Sequence, residues 1–187
     1  MGFPLTSHHR MQTGAVFDAS HHAAREARQS AVSLLGFDDD GAPDTTSDVP
    51  TASADGAVGI AFSTSGGADG SLLLWMQEAD ALHISNLLLE RFGAKPADTL
   101  TQSAINALAE VGNIVASSFL NRLAKVVNAS CLPSVPHLAH GDDDALQKAW
   151  SSFSDTGAWA SFALPLGDAT MWLIFQPDSA THEKLSA

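Results

Sequence analysis

Four polar residues on one helical stripe are where this chain could do chemistry. Asn106, Glu110, Asn113 and Ser117 are spaced 4, 3 and 4 residues apart. At about 100° per residue they fall on one narrow face. Leu108, Val111, Val115, Phe119 and Leu123 fall on the opposite side. Only Glu110 in the stripe can carry charge. It can act as a base, a ligand or the ion-pair partner of a lysine. Asn113 does not titrate, but its amide offers two donors and an acceptor. It can hold a water or an oxyanion in a set orientation and cannot remove a proton, which is the chemistry of positioning. Asn is a mediocre helix former, and Gly112 costs about 1 kcal/mol relative to Ala in a helix interior. These are poor choices for helix stability alone. An ordinary polar helix face with two stray asparagines is the competing reading.

The elements around the stripe follow from period and punctuation. Residues 1–16 read as a loose tail with Gly, Pro and His8-His9. Residues 17–35 form an Ala-rich helix closed by Gly36. Residues 37–56, rich in Asp, Ser, Thr, Pro and Gly, read as a long surface loop. Residues 57–77 form a hairpin that turns over 66–70. A helix follows over 79–93, with Leu82, Ile84, Leu87, Leu88, Leu89 and Phe92 broadly on one face. The helix that bears the stripe runs from about Thr101 to Val127. One strand over 131–138, interrupted by Pro133 and Pro136, comes next, then a polar turn and short helix over 142–153. A second hairpin spans 159–176 around Gly167-Asp168, and a short polar helix begins near Ser179.

The two hairpins echo one another at a constant offset of 99 residues, which aligns Asp69 with Asp168, Leu74 with Leu173 and Gln77 with Gln176. Each hairpin is flanked by helices. This predicts two helix–hairpin–helix halves related by a pseudo-two-fold axis, 17–98 and 99–187, in one domain. The fold class is mixed α+β: a central antiparallel sheet with long helices packed on it.

Composition narrows the function classes. In 187 residues, 45% are hydrophobic and 16% charged, enough apolar material for a core. Nine Lys+Arg against 21 Asp+Glu give a net charge of −12, which disfavours nucleic acid and anionic membranes. No uninterrupted apolar run is longer than the five residues of Leu72–Met76, too short to span a bilayer. Met1–Arg10 has no apolar leader segment, and the single Cys131 excludes an internal disulfide. Both fit a cytoplasmic protein. Of eight histidines, His8, His9, His21 and His22 lie in or beside the tail, and His83, His137, His140 and His182 are isolated, so no metal site is expected. Asp142-Asp143-Asp144 reads as a helix cap. Cys131, Trp75, Trp159 and Trp172 read as core.

Glu110-Val-Gly-Asn113-Ile, with Pro136 twenty-three residues after the asparagine, resembles the CheC/CheX/FliY family of chemotaxis phosphatases, in its CheC branch. The family motif is Asp or Ser, three residues, Glu, two residues, Asn, twenty-two residues, Pro. The similarity extends over most of residues 57–187. It implies a phosphatase for CheY or a CheY-like response regulator carrying an aspartyl phosphate. Glu110 and Asn113 would be catalytic, with Asn106, Gly112, Ser117 and Pro136 in support. Glu110 would pair with the regulator's lysine, Asn113 would orient the attacking water, and Gly112 would leave room for the partner surface. The protein would need no cofactor of its own, since Mg²⁺ belongs to the regulator. One position departs from the motif: Asn106 stands where the family has Asp or Ser. The helix of the first half carries Glu26-Ala-Arg-Gln29, an amide one methylene longer at the matching spacing, which reads as a degenerate site or a simple amphipathic helix. A non-catalytic CheC-like interaction protein, binding CheD or a regulator as a scaffold, is the alternative.

Overall fold

The computed structural model describes residues 14–37, 52–151 and 159–187. The element order is α1 (Ala15–Leu35), β1 (Ala57–Gly66), β2 (Gly70–Gln77), α2 (Glu78–Arg91), α3 (Gln102–Val127), β3 (Cys131–Pro133), β4 (His137–Gly141), α4 (Asp143–Ser151), β5 (Ala160–Leu166), β6 (Ala169–Pro177) and α5 (Ser179–Ser186). Six antiparallel strands form one sheet in the order β3-β1-β2-β6-β5, with β4 also pairing β1.

Alternation along the strands builds two apolar layers. Ile60 and Phe62 of β1, Leu72 and Leu74 of β2, and Leu173 and Phe175 of β6 point to the face covered by α1 and α3. Ala61, Leu73, Trp75 and Ile174 point to the other face, where Leu146 and Trp150 of α4 cover them together with Trp159. Trp75 and Trp172 meet edge to face at 5.4 Å there. Trp75, Trp159 and Cys131 are buried in the core, as expected, and Trp172 packs half-buried against it.

The 99-residue echo has a simple physical meaning. β2 and β6 are neighbours at the centre of the sheet, and Leu74 lies directly opposite Leu173. A local two-fold axis therefore passes between two residues that the echo makes equivalent. The helices obey it as well. Ser118 bonds Ser30 at 2.8 Å and Arg122 pairs with Glu26, so α1 and α3 run antiparallel, side by side on one face. Small residues on α1 (Ala23, Ala24, Ala27 and Ala31) let the two approach closely.

Several boundaries differ from the sequence reading. α1 begins at Ala15, inside the expected tail of 1–16. Residues 1–13 of that tail, and residues 38–51 of the expected loop 37–56, lie outside the described residues. The second half is not a plain repeat, because β3, β4 and α4 intervene between α3 and its hairpin. The expected strand 131–138 is two strands. Pro133 and Pro136 cannot donate to a ladder, and both sit on the sheet edge where that is tolerated. Ser134 fills the gap: its Oγ accepts from the Ser63 N–H, and its own N–H donates to the Ser63 carbonyl. Phe92 does not share the buried face of α2. It caps the helix and is 74% exposed, because the chain turns away at Gly93.

Candidate functional site on helix α3

Helix α3 is fixed at both ends. Thr101 caps its start by accepting from the Ala104 N–H, and Asn128 ends it in the left-handed conformation. By length and composition alone this helix could cross a membrane. In the structure its apolar face is spent on the sheet and on α1. Leu108, Val111, Val115, Phe119, Leu120 and Leu123 are buried, and Phe119 packs edge to face on Phe175 at 5.2 Å. Each such side chain stabilises the seating of the helix by about 1.5–3 kcal/mol. The stripe therefore stands on a rigid element.

The four predicted residues lie together on the outer side. Asn106 and Glu110 are exposed, and Asn113 and Ser117 are half-buried. Gln102, one turn before Asn106, donates from Nε2 to Asn106 Oδ1 at 3.0 Å. Sequence reasoning passed over Gln102, although its i, i+4 spacing from Asn106 was visible. Among the described residues, Glu110 and Asn113 have no hydrogen-bond or ion-pair partner.

Gly112 does not face outward, which corrects the expectation that it leaves room for a partner. A Cβ at this position would lie 3.1 Å from Ile60 Cδ1 and 3.5 Å from Phe62 Cζ. The glycine lets α3 press directly onto β1. Pro136 is placed by register. It follows Ser134, which bonds Ser63, and precedes His137, which pairs with Ala61. It thus lies on the sheet edge beside Phe62, the strand position that Gly112 touches. The structure brings Asn106, Glu110, Asn113 and Ser117 onto one surface, with Gly112 beneath it and Pro136 at the neighbouring edge.

The matching positions on α1 are occupied differently. Glu26 pairs with Arg122 Nη1 at 3.4 Å and Lys125 Nζ at 3.9 Å, both from α3. Gln29 is exposed. Arg28, the counterpart of Gly112, is buried and donates from Nε to the Pro165 carbonyl at 2.9 Å.

Elsewhere, Asp142 accepts from the Ala145 N–H and caps α4, as expected. His140 is not isolated, because its Nε2 meets the Glu78 carboxylate. His21 sits among Phe17 and Phe162, and burial there lowers its pKa from 6.5, helped by the neighbouring His22 and Arg25 and opposed by Asp18. Burial raises Asp80 above 3.8, opposed by the Thr170 backbone and by His83. Among the described residues, no three His, Cys, Asp or Glu side chains are grouped to hold a metal ion. A cavity between α4 and the sheet, lined by Ala61, Trp75, Leu146 and Trp150, has only about 10 Å³ of free space, roughly enough for one water. It lies on the face opposite the stripe.

The comparisons first define a class of fold. FliY from Thermotoga maritima superimposes with a TM-score of 0.65 at 13% identity, covering 90% of this chain and 91% of that one. A chain of the CheX–CheY–BeF3–Mg²⁺ complex from Borrelia burgdorferi gives 0.58 at 18% identity, covering 83% and 96%. A chain of the FliG–FliM complex from H. pylori gives 0.59 at 13% identity, covering 92% and 96%. No curated protein matches the chain. Residues 104–139 match the CheC-like family, and that segment contains the whole stripe and Pro136. The chain thus shares the antiparallel sheet and paired helices of these structures, and its α3 segment resembles the CheC-like family.

Proposed function

We propose that this protein stimulates hydrolysis of the aspartyl phosphate on a CheY-like response regulator. The observation that carries the reading is the pairing of Glu110 and Asn113. They stand three residues apart on a rigidly seated helix, within the family-matched segment, and neither is engaged by a described residue. A carboxylate and a non-titrating amide suit docking and orientation rather than proton abstraction. Glu110 would accept an ion pair from a lysine beside the regulator's phosphoaspartate. Asn113 would reach into that site and hold a water in line with phosphorus. The water oxygen bonds to phosphorus, the bond to the aspartyl oxygen breaks, and inorganic phosphate leaves as the aspartate carboxylate is restored. Mg²⁺, held by the regulator, would neutralise the charge that develops. Positioning alone can suffice in phosphoryl transfer. The reading makes the protein a cytoplasmic member of a chemotaxis circuit.

The test is phosphate release from a CheY-like regulator under acetyl-phosphate turnover. Wild type is expected to stimulate release, Asn113→Ala to lose about 10²-fold or more, and Glu110→Ala to act mainly on the regulator concentration required. Wild-type stimulation by Asn113→Ala would remove the mechanism.

A second reading is a non-catalytic interaction protein that binds a regulator or CheD. Asn106, in place of the Asp or Ser of the motif, favours it, as does the similarity to a chain of a FliG–FliM complex. Regulator binding without any stimulated release would select this reading.

A further inference from the structure

We propose that Val135 is a docking residue for the CheY-like regulator, an apolar side chain on a stiff turn that seats the regulator's surface beside its phosphoaspartate. The inference deepens the phosphatase reading and rests on the regulator that reading names. Val135 is 85% exposed, the most exposed large hydrophobic side chain among the described residues. It lies within the segment that matches the CheC-like family, at a position the motif leaves open.

The turn that carries it has little freedom. Pro133 and Pro136 fix their own φ, and a residue before proline is held extended, which restricts Val135 as well. Ser134 ties the turn to β1: its N–H donates to the Ser63 carbonyl, and its Oγ accepts from the Ser63 N–H at 3.0 Å. The same Oγ donates to the Val135 carbonyl at 3.0 Å. β3 on one side and β4 on the other both pair with β1. Valine is itself stiff at χ1. An exposed apolar side chain held this way loses little entropy when a partner covers it.

The turn is level with the candidate site. Position 112 of α3 sits over Ile60 and Phe62 of β1. The turn lies one strand spacing, about 4.8 Å, outside β1 at Phe62 and Ser63. Asn113 stands on that side of the helix. It lies about 60° round α3 from Glu110 in one direction, whereas Ser118 and Arg122 lie about 80° and 120° round in the other. Ser118 and Arg122 contact α1, and α1 lies over β5 at the far edge of the sheet, where Arg28 bonds Pro165. Asn113 therefore faces the β3–β4 edge. A regulator seated with Asn113 in its phosphate site lays its adjoining surface on Val135. An uncharged contact also suits a chain of net charge −12, whose overall field repels an acidic partner.

The test is phosphate release measured against regulator concentration, together with affinity for the phosphorylated regulator in an Asn113→Ala background, where the phosphate persists. Val135→Ser is expected to raise the half-maximal regulator concentration about tenfold, with the maximal rate and Tm held. Val135→Asp should weaken docking further, and Val135→Ile should restore it to within about twofold. Val126 is the control: it is also exposed but stands about 160° round α3 from Glu110, so Val126→Ser should dock as wild type does. Equal half-maximal concentrations in wild type, Val135→Ser and Val135→Asp would overturn the docking role and leave the phosphatase reading standing. So would self-association that is lost in Val135→Asp while regulator affinity holds, which would give the turn to a second copy of the chain. Binding that weakens in Val135→Ser, from a wild type that stimulates no release, would keep the docking role and remove the phosphatase reading. A wild type that neither binds nor dephosphorylates any CheY-like regulator overturns both.

Discussion

Helices α1 and α3 lie side by side around one local axis, and each carries a glutamate followed three residues later by an amide. Their surroundings separate them. On α1, Glu26 is taken up by Arg122 and Lys125. On α3, Glu110 meets no described partner. The residue two places after the glutamate differs as sharply. Gly112 lets α3 touch β1, whereas α1 fills its side with the buried Arg28, which reaches a carbonyl of β5. The same spacing thus serves a structural ion pair in one half and leaves an open carboxylate in the other. A motif becomes a candidate site only when its neighbours leave it unused.

The largest expected effect comes from making α3 resemble α1. Asn113→Gln reproduces the Glu-x-x-Gln of α1 and moves the amide outward by one methylene, more than 1 Å. Stimulated phosphate release should fall about 10²-fold, since a misplacement of that size is costly, with Tm unchanged because the side chain is only half-buried. Release within a few-fold of wild type would show that the amide length does not distinguish the two helices. Next in size is Gly112→Leu. The new side chain would enter the space of Ile60 and Phe62. Overpacking of this kind costs about 1–3 kcal/mol, more than the roughly 1 kcal/mol gained by removing a mid-helix glycine. A lower urea midpoint together with lost phosphate release is expected, because the stripe moves outward with the helix. An unchanged midpoint would mean that the seat is looser than its contacts imply.

Much of this was legible in the sequence. Gly36 and Thr101 marked real helix ends, both hairpins turn at their Gly and Asp residues, and the 99-residue echo foretold equivalent strands. The stripe on α3 was readable because a helix with one buried face leaves its polar residues in register. Gly112 was misassigned although its helical angle places it beside Leu108 and Phe119. Its conspicuous composition outweighed its phase. The contacts of Glu26 were not legible. Periodicity assigns a charge to a face but does not say that Arg122, ninety-six residues on, will reach it. The break between β3 and β4 depends on Ser134 bridging to β1, which is also a long-range fact.

A smaller effect is expected from Glu26→Ala. It leaves Arg122 and Lys125 without their anion, but the pairs are partly solvated, so the loss should stay below about 1 kcal/mol. Phosphate release should be unaffected, whereas Glu110→Ala should show the reverse: no change in Tm and weaker regulator use. If Glu26→Ala instead lowers release as much as Glu110→Ala does, the two helices are not functionally distinct.

The smallest effect is a pH dependence located on α1. His21 packs against Phe17 and Phe162, and its folded-state pKa lies below 6.5 because burial, His22 and Arg25 all disfavour the imidazolium, with Asp18 opposing them. The unfolded chain then binds more protons than the folded one between the lowered pKa and 6.5. Stability tied to neutral His21 is complete above that window and is lost as pH falls through it. Urea midpoints taken at about pH 7.5 and about pH 5.5 should differ less in His21→Phe than in wild type. Phenylalanine keeps the aromatic contacts and has nothing to protonate. The stripe on α3 contains no histidine, so regulator affinity in His21→Phe should follow wild type at both pH values. Equal pH sensitivity of the midpoint in both proteins would assign the acid loss to other groups and leave α1 and α3 distinguished by their carboxylates alone.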